Sequence, residues 1–104
     1  MLRARTFLAV AALLSPAATV HAEEHYLAGK VFDITSAPQG LLVRLDTGVP
    51  TNCAGVGYGW MTIPEANKTM IAAALLVWQN RGEATVYTNP ISSGVCIINQ
   101  FDPA

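Results

Sequence analysis

Four side chains in the second half of the chain carry the chemistry to hold a ligand: Tyr58, Thr85, Tyr87 and Asn89. A tyrosine presents a flat apolar ring with a hydroxyl at its tip, which suits sugar rings and protein interfaces. Tyr87 is the stronger of the two tyrosines. Thr85 and Asn89 flank it at a spacing of two, so in an extended strand all three share one face, and its neighbours there are polar. Trp60 and Trp78 are aromatic too, but rings of that size belong more often to a core.

No catalytic constellation accompanies these residues. Nucleophilic catalysis needs a base, and the one histidine after residue 22 is His25, near enough to a new N-terminus to be a solvated tail. Paired carboxylates can do acid–base work. Here Asp33, Asp46, Glu65, Glu83 and Asp102 each have a plainer role as strand end, helix cap, turn or tail. Gly55, Gly57 and Gly59 form GxGxG, whereas a dinucleotide loop needs GxGxxG between a strand and a helix. A bent strand is the simpler use of these glycines. Cys53 and Cys96 have no histidine beside them, and a structural zinc wants four ligands. The expectation is a protein with no enzymatic activity, no cofactor and no metal.

The start of the chain reads as an address. Arg3 and Arg5 make a basic region, Phe7 to Leu14 an apolar one, and Val20, His21 and Ala22 a small-residue cleavage site, the pattern of a secretory signal. The apolar run is far shorter than the roughly twenty residues that span a bilayer. Residues 1–22 are therefore expected to be a bacterial export signal and 23–104 a single secreted or periplasmic domain. In that domain Lys30, Arg44, Lys68 and Arg81 face seven acidic residues, so neither nucleic acid nor an anionic membrane surface is an expected partner. An oxidising compartment favours pairing Cys53 with Cys96 over leaving two free thiols. Closing so long a loop stabilises a small domain by roughly 4 kcal/mol.

The positioning elements follow from period and punctuation. Tyr26–Thr35 reads as a first strand, Ser36–Gly40 as a turn, and Leu41–Asp46 as a second strand with Leu41, Val43 and Leu45 on one face. A third, sharply curved strand is expected from about Val56 to Thr62, where glycine alternates with Val56, Tyr58 and Trp60. From Thr62 to Gly82 the sequence predicts a helix of about five turns. Thr62 and Glu65 would form a capping box, Pro64 would sit in the first turn, and Gly82 would take the left-handed stop. Its core stripe would be Ile71, Ala74, Leu75 and Trp78, and Met70, Ala73 and Val77 make an adjacent face apolar as well. A helix apolar over so much of its circumference is usually buried on more than one side. A second copy of the chain would cover the rest. Ala84–Asn89 and Val95–Phe101 complete the order as fourth and fifth strands. The expected fold is α+β, a small OB-like curved antiparallel sheet of about five strands wrapped on one long helix, in the order βββ-α-ββ.

Cys53, then Gly59, Trp60 and Met61, then Lys68, Thr69 and Met70 with Ala74, Leu75 and Gly82, then Val86, Tyr87 and Thr88, and finally Gly94, Val95, Cys96 and Ile97 form a familiar layout. It resembles the B subunit of subtilase cytotoxin and its small secreted bacterial relatives, from about Gly29 to Gln100. The resemblance implies an OB-type fold, a Cys53–Cys96 disulfide and a pentameric ring with the helices around a central pore. Members of that family bind sialylated glycans and carry an enzymatic A subunit. Their sugar-binding residues do not align with this chain, so none is carried over.

The sequence thus points to a secreted, non-enzymatic binding module that self-associates and recognises a glycan, with Tyr87, Thr85, Asn89 and Tyr58 as its candidate residues. The alternative is a monomeric periplasmic structural or inhibitor-like protein that binds another protein along a sheet edge.

Overall fold

A computed structural model describes residues 23–104; the expected export signal at 1–22 lies outside the described residues. Five strands and one helix follow one another as β1 (Tyr26–Ala37), β2 (Gly40–Leu45), β3 (Met61–Pro64), α1 (Lys68–Gln79), β4 (Glu83–Thr88) and β5 (Ile98–Pro103). The fold is the expected α+β one. All pairings in the sheet are antiparallel, in the order β3-β2-β1-β4-β5. A parallel bridge between Thr62 and Ile97, with Thr62 N–H donating to Cys96 O at 2.7 Å, brings the two edges together. The result is a small OB-like barrel.

Strand alternation fills its interior. Leu41, Val43 and Leu45 point inward from β2, and Ala84, Val86 and Thr88 from β4, all buried as their period requires. Met61 and Ile63 join them from β3, and Ile98 and Phe101 from β5. Each fully buried aliphatic side chain of this kind contributes roughly 1.5–3 kcal/mol.

The long β1 serves both halves of the sheet. Its first half pairs with β4, from Tyr26 opposite Tyr87 to Lys30 opposite Glu83; its second half pairs with β2. Between Val31 and Asp33 the register shifts, so Phe32 has no partner of its own. Such a bulge bends the strand and swaps its phase. Gly29 and Val31 face inward before it, whereas after it Ile34 packs against the core. At the far end Gly40 opens β2 at φ +146°, and a Cβ there would lie 2.0 Å from Ile63 O. Only glycine lets β3 come so close.

Several boundaries differ from the sequence reading. Ser36, Ala37 and Gly40 are paired strand residues rather than turn, β4 stops at Thr88 rather than Asn89, and β5 begins at Ile98 rather than Val95. The residues 57–59 form a 3₁₀ turn, and β3 begins only at Met61. Gly55 and Gly59 take φ values of +95° and +77°, a left-handed conformation that ends strand pairing. The helix is also shorter at its start. Thr62 and Pro64 belong to β3, opposite Leu42 and Gly40, so no capping box forms and Asn67 precedes the first turn. Burying Ile63 in the closing strand outweighs one cap, which is worth about 1 kcal/mol. Glu65 instead pairs with Lys68 as an exposed i,i+3 couple. At the other end the left-handed residue is Arg81, at φ +54°, one position earlier than expected. Gly82 follows it, donating to Val77 O at 2.8 Å while Arg81 N–H donates to Trp78 O at 3.0 Å. These two bonds satisfy the last carbonyls of the helix.

The helix is also rotated relative to the expected stripe. Ala74 and Val77 are its buried residues, with Met70, Ile71 and Ala73 partly covered. Leu75, Leu76 and Trp78 are 40%, 60% and 42% exposed. The small Ala73 and Ala74 let α1 settle closely onto the barrel between β1 and β5, and the bulky Leu75 and Trp78 are turned to the rim. The expected core roles of Leu75 and Trp78 are thereby corrected.

Candidate ligand-binding face

The N-terminal half of the sheet is tied down from behind. Cys53 and Cys96, both fully buried, form the expected disulfide, with Cα atoms 5.6 Å apart. Beside it Asn52 Nδ2 donates to Thr88 O at 2.9 Å, and Thr88 Oγ1 donates to Asn52 Oδ1 at 2.6 Å. Both residues are buried, so each bond also spares a polar atom from desolvation, and leaving one unpaired would cost about 1–3 kcal/mol. Ile91 N–H adds a bond to Asn52 O. Together these contacts fix the 51–53 turn and the 89–97 loop to the end of β4.

That clamp presents an aromatic face. Tyr26 and Tyr87 are cross-strand partners on the outside of the sheet, with ring centroids 6.0 Å apart. His25 lies edge-on to Tyr26 at 5.4 Å and tilted against Tyr87 at 6.1 Å. It is not the solvated tail expected from its position: Thr88 N–H donates to His25 O at 2.8 Å, which extends the β1–β4 ladder by one residue. Around the rings stand polar partners. Thr85 lies along β4, Gln100 is opposite Tyr87 and Asp102 is opposite Thr85 on β5. Asn89 accepts from Asn99 Nδ2 at 2.7 Å. The outcome is an open sheet face, half-buried at its rings and polar at its margin.

Of the four candidate residues, Thr85 and Tyr87 share the outer face of β4, Asn89 lies just past its end rather than on the strand, and Tyr58 stands apart. Tyr58 sits on the other side of β1, in the turn before β3, and is 86% exposed. Sequence reasoning missed Tyr26 and His25. Their pairing with Tyr87 was available only through the β1–β4 register, which period alone does not give.

A second cluster surrounds Tyr58. Arg44, on the outer face of β2, donates from Nη2 to Asp33 at 2.6 Å and from Nη1 to Tyr58 O at 3.3 Å. Its guanidinium lies 5.0 Å from the Phe32 ring centroid and 4.6 Å from that of Trp60. Trp60, expected in the core, is half-buried beneath this cation instead. The bulge explains why Phe32 reaches it, since an unpaired residue is re-aimed off the ladder.

Three clefts border the helix. One, of about 440 Å³, is lined by Lys30, Phe32, Trp78 and Arg81; another, about 450 Å³ and mostly apolar, by Ile34, Leu41, Ile71 and Leu75. The third, about 480 Å³, lies between the start of α1 and Asn99–Phe101. None encloses the Tyr26–Tyr87 face, which is a surface rather than a cavity.

Among the described residues no group of three or more His, Cys, Asp or Glu side chains is arranged to hold a metal ion. None of the described helices is long and apolar enough to cross a membrane. One carboxyl has a displaced titration: the hydrogen bond from Lys68, and then its positive charge, hold Glu65 below its ordinary value of 4.5. No protein-family model, curated protein or solved structure matches the chain.

Proposed function

We propose that this protein is an exported, non-enzymatic binding module that holds a glycan on the outer face of β1, β4 and β5. The observation that carries the reading is the Tyr26–Tyr87 pair, two rings side by side on an open face with Thr85, Asn89 and Gln100 at its edge. Aromatic faces take the apolar side of a sugar ring while neighbouring amides and hydroxyls take its hydroxyl groups. The disulfide fits an extracellular or periplasmic location.

The same reading includes self-association. Leu75, Leu76 and Trp78 form an exposed apolar ridge on α1, and ridges of that kind are commonly covered by a partner. A homo-oligomer, pentameric by the likeness to toxin B subunits, would cover it with further copies.

The test is retention on immobilised glycans. Tyr87→Ala should abolish retention with little change in the thermal midpoint, and equal retention by the variant would sink the assignment. Light scattering after size exclusion addresses the assembly: a discrete mass near that of a pentamer supports the ring. A monomer would remove it and favour the second reading, a structural or inhibitor-like protein that binds another protein along a sheet edge.

A further inference from the structure

We propose that Phe32, Asp33, Arg44, Tyr58 and Trp60 form a second ligand site, one that takes a neutral hexopyranose ring. It rests on the reading of the protein as a glycan-binding module, but it lies on the other side of β1 from the Tyr26–Tyr87 face and uses none of its residues.

Three separate segments converge there. The bulge in β1 supplies Phe32, 47% exposed, with Asp33 next to it; β2 supplies Arg44; the turn before β3 supplies Tyr58 and Trp60. Two features of the cluster work against stability. Tyr58 holds φ +56° between two glycines, a conformation that bulky residues rarely adopt. The Nε of Arg44 is buried without a hydrogen-bond partner. Polar atoms in that state are uncommon in folded proteins, and backbone of that kind gathers at ligand clamps. Together they hold the Tyr58 carbonyl against a stacked guanidinium and leave the tyrosine ring in solvent.

The chemistry selects a neutral sugar. Asp33 cancels the charge of Arg44 at 2.6 Å, so an anion or a cation would find a neutral pair. That pair still offers acceptor lone pairs on the carboxylate and a second N–H on each terminal guanidinium nitrogen, side by side. Adjacent ring hydroxyls, each both donor and acceptor, match such a pair. The exposed rings of Tyr58 and Phe32 suit the apolar face of the same sugar.

Trp60 provides the readout. In a Trp78→Phe background it is the sole tryptophan, because the chain has two. Titration with cellohexaose and with a neutral galactose hexasaccharide should give a saturable change in Trp60 fluorescence with at least one of them. Tyr58→Ala should weaken that response about tenfold, the scale of one lost aromatic contact. Its ring is almost wholly in solvent, so the fold should survive, and circular dichroism checks this. Asp33→Asn, which keeps the shape, should weaken it as well, and Tyr87→Ala should leave it unchanged. The proposal is overturned by no saturable response to either sugar, by a response indifferent to Tyr58→Ala, or by a response to a proline-rich decapeptide alone. Glycan retention that depends on Tyr87 while Trp60 stays silent would overturn this site and leave the first one standing.

Discussion

Two aromatic clusters flank β1, and they are built in opposite ways. Tyr26 and Tyr87 face each other across an unbroken ladder, and the disulfide with the Asn52–Thr88 clamp lies directly behind them. Phe32, Arg44 and Trp60 meet where the ladder breaks, and only a partly exposed ion pair and a strained turn support them. The first cluster is thus a product of the regular β1–β4 pairing, although the β4–β5 register shifts beside Tyr87, and it inherits the stability of the core. The second is a product of irregularity, and its geometry depends on a few polar contacts.

The largest effect expected from this contrast is loss of the disulfide. Cys53→Ser with Cys96→Ser should cost roughly 4 kcal/mol in urea unfolding. Amide exchange should accelerate first in residues 51–53 and 89–97 and near Tyr87, before it changes near Arg44. Equal acceleration at both clusters would erase the contrast.

A smaller loss is expected from Asn52→Leu, which removes both side-chain bonds between Asn52 and Thr88. About 2 kcal/mol should go, read as a lower urea midpoint at constant slope. Arg44→Met keeps the stem of the side chain and removes the cation. Since Arg44 and Asp33 are 30% and 39% exposed, no more than about 1 kcal/mol should be lost. The change should be confined to Trp60 fluorescence, with the Tyr26–Tyr87 face unaltered. A loss as large as that of Asn52→Leu would mean that the second cluster is also part of the stabilising frame.

Sequence made the first cluster half visible. Alternation placed Thr85 and Tyr87 on one outer face and Ala84, Val86 and Thr88 inside, as β4 shows, while Asn89 falls just past the end of that strand. Sequence also identified the disulfide, since two cysteines in a chain read as exported have few other uses. Tyr26 was hidden because register is set by contacts far apart in the chain. The second cluster was hidden more deeply. A bulge at Phe32 leaves no composition signal, and Arg44 looks like any outward residue until Trp60 and Phe32 are placed against it. The helix shows how local and global signals compete. Thr62, Pro64 and Glu65 carry a sound local start signal, yet closing the barrel with Ile63 buried draws the same residues into β3. The order of strands and helix survived this shift because the apolar segments themselves were identified, although the turn before β3 was read as strand and Ser36, Ala37 and Gly40 as turn.

The smallest effect lies in neither cluster. Glu65 has a lower pKa folded than unfolded, so its pairing with Lys68 stabilises the fold above about pH 4.5 and is lost as pH falls through the depressed value. Both groups are largely exposed, so the acid limb of the melting curve should shift only slightly on Lys68→Met. A shift comparable to that of Asn52→Leu would show that the start of α1 matters more than its exposure suggests.

The central claim is that the outer face of β1, β4 and β5 binds glycan, and amide chemical-shift mapping with a retained glycan tests it most directly. Perturbations should gather at Tyr26, Thr85, Tyr87 and Gln100 and vanish in Tyr87→Ala. Perturbations absent from that face, or confined to the exposed ridge of α1, would contradict the account.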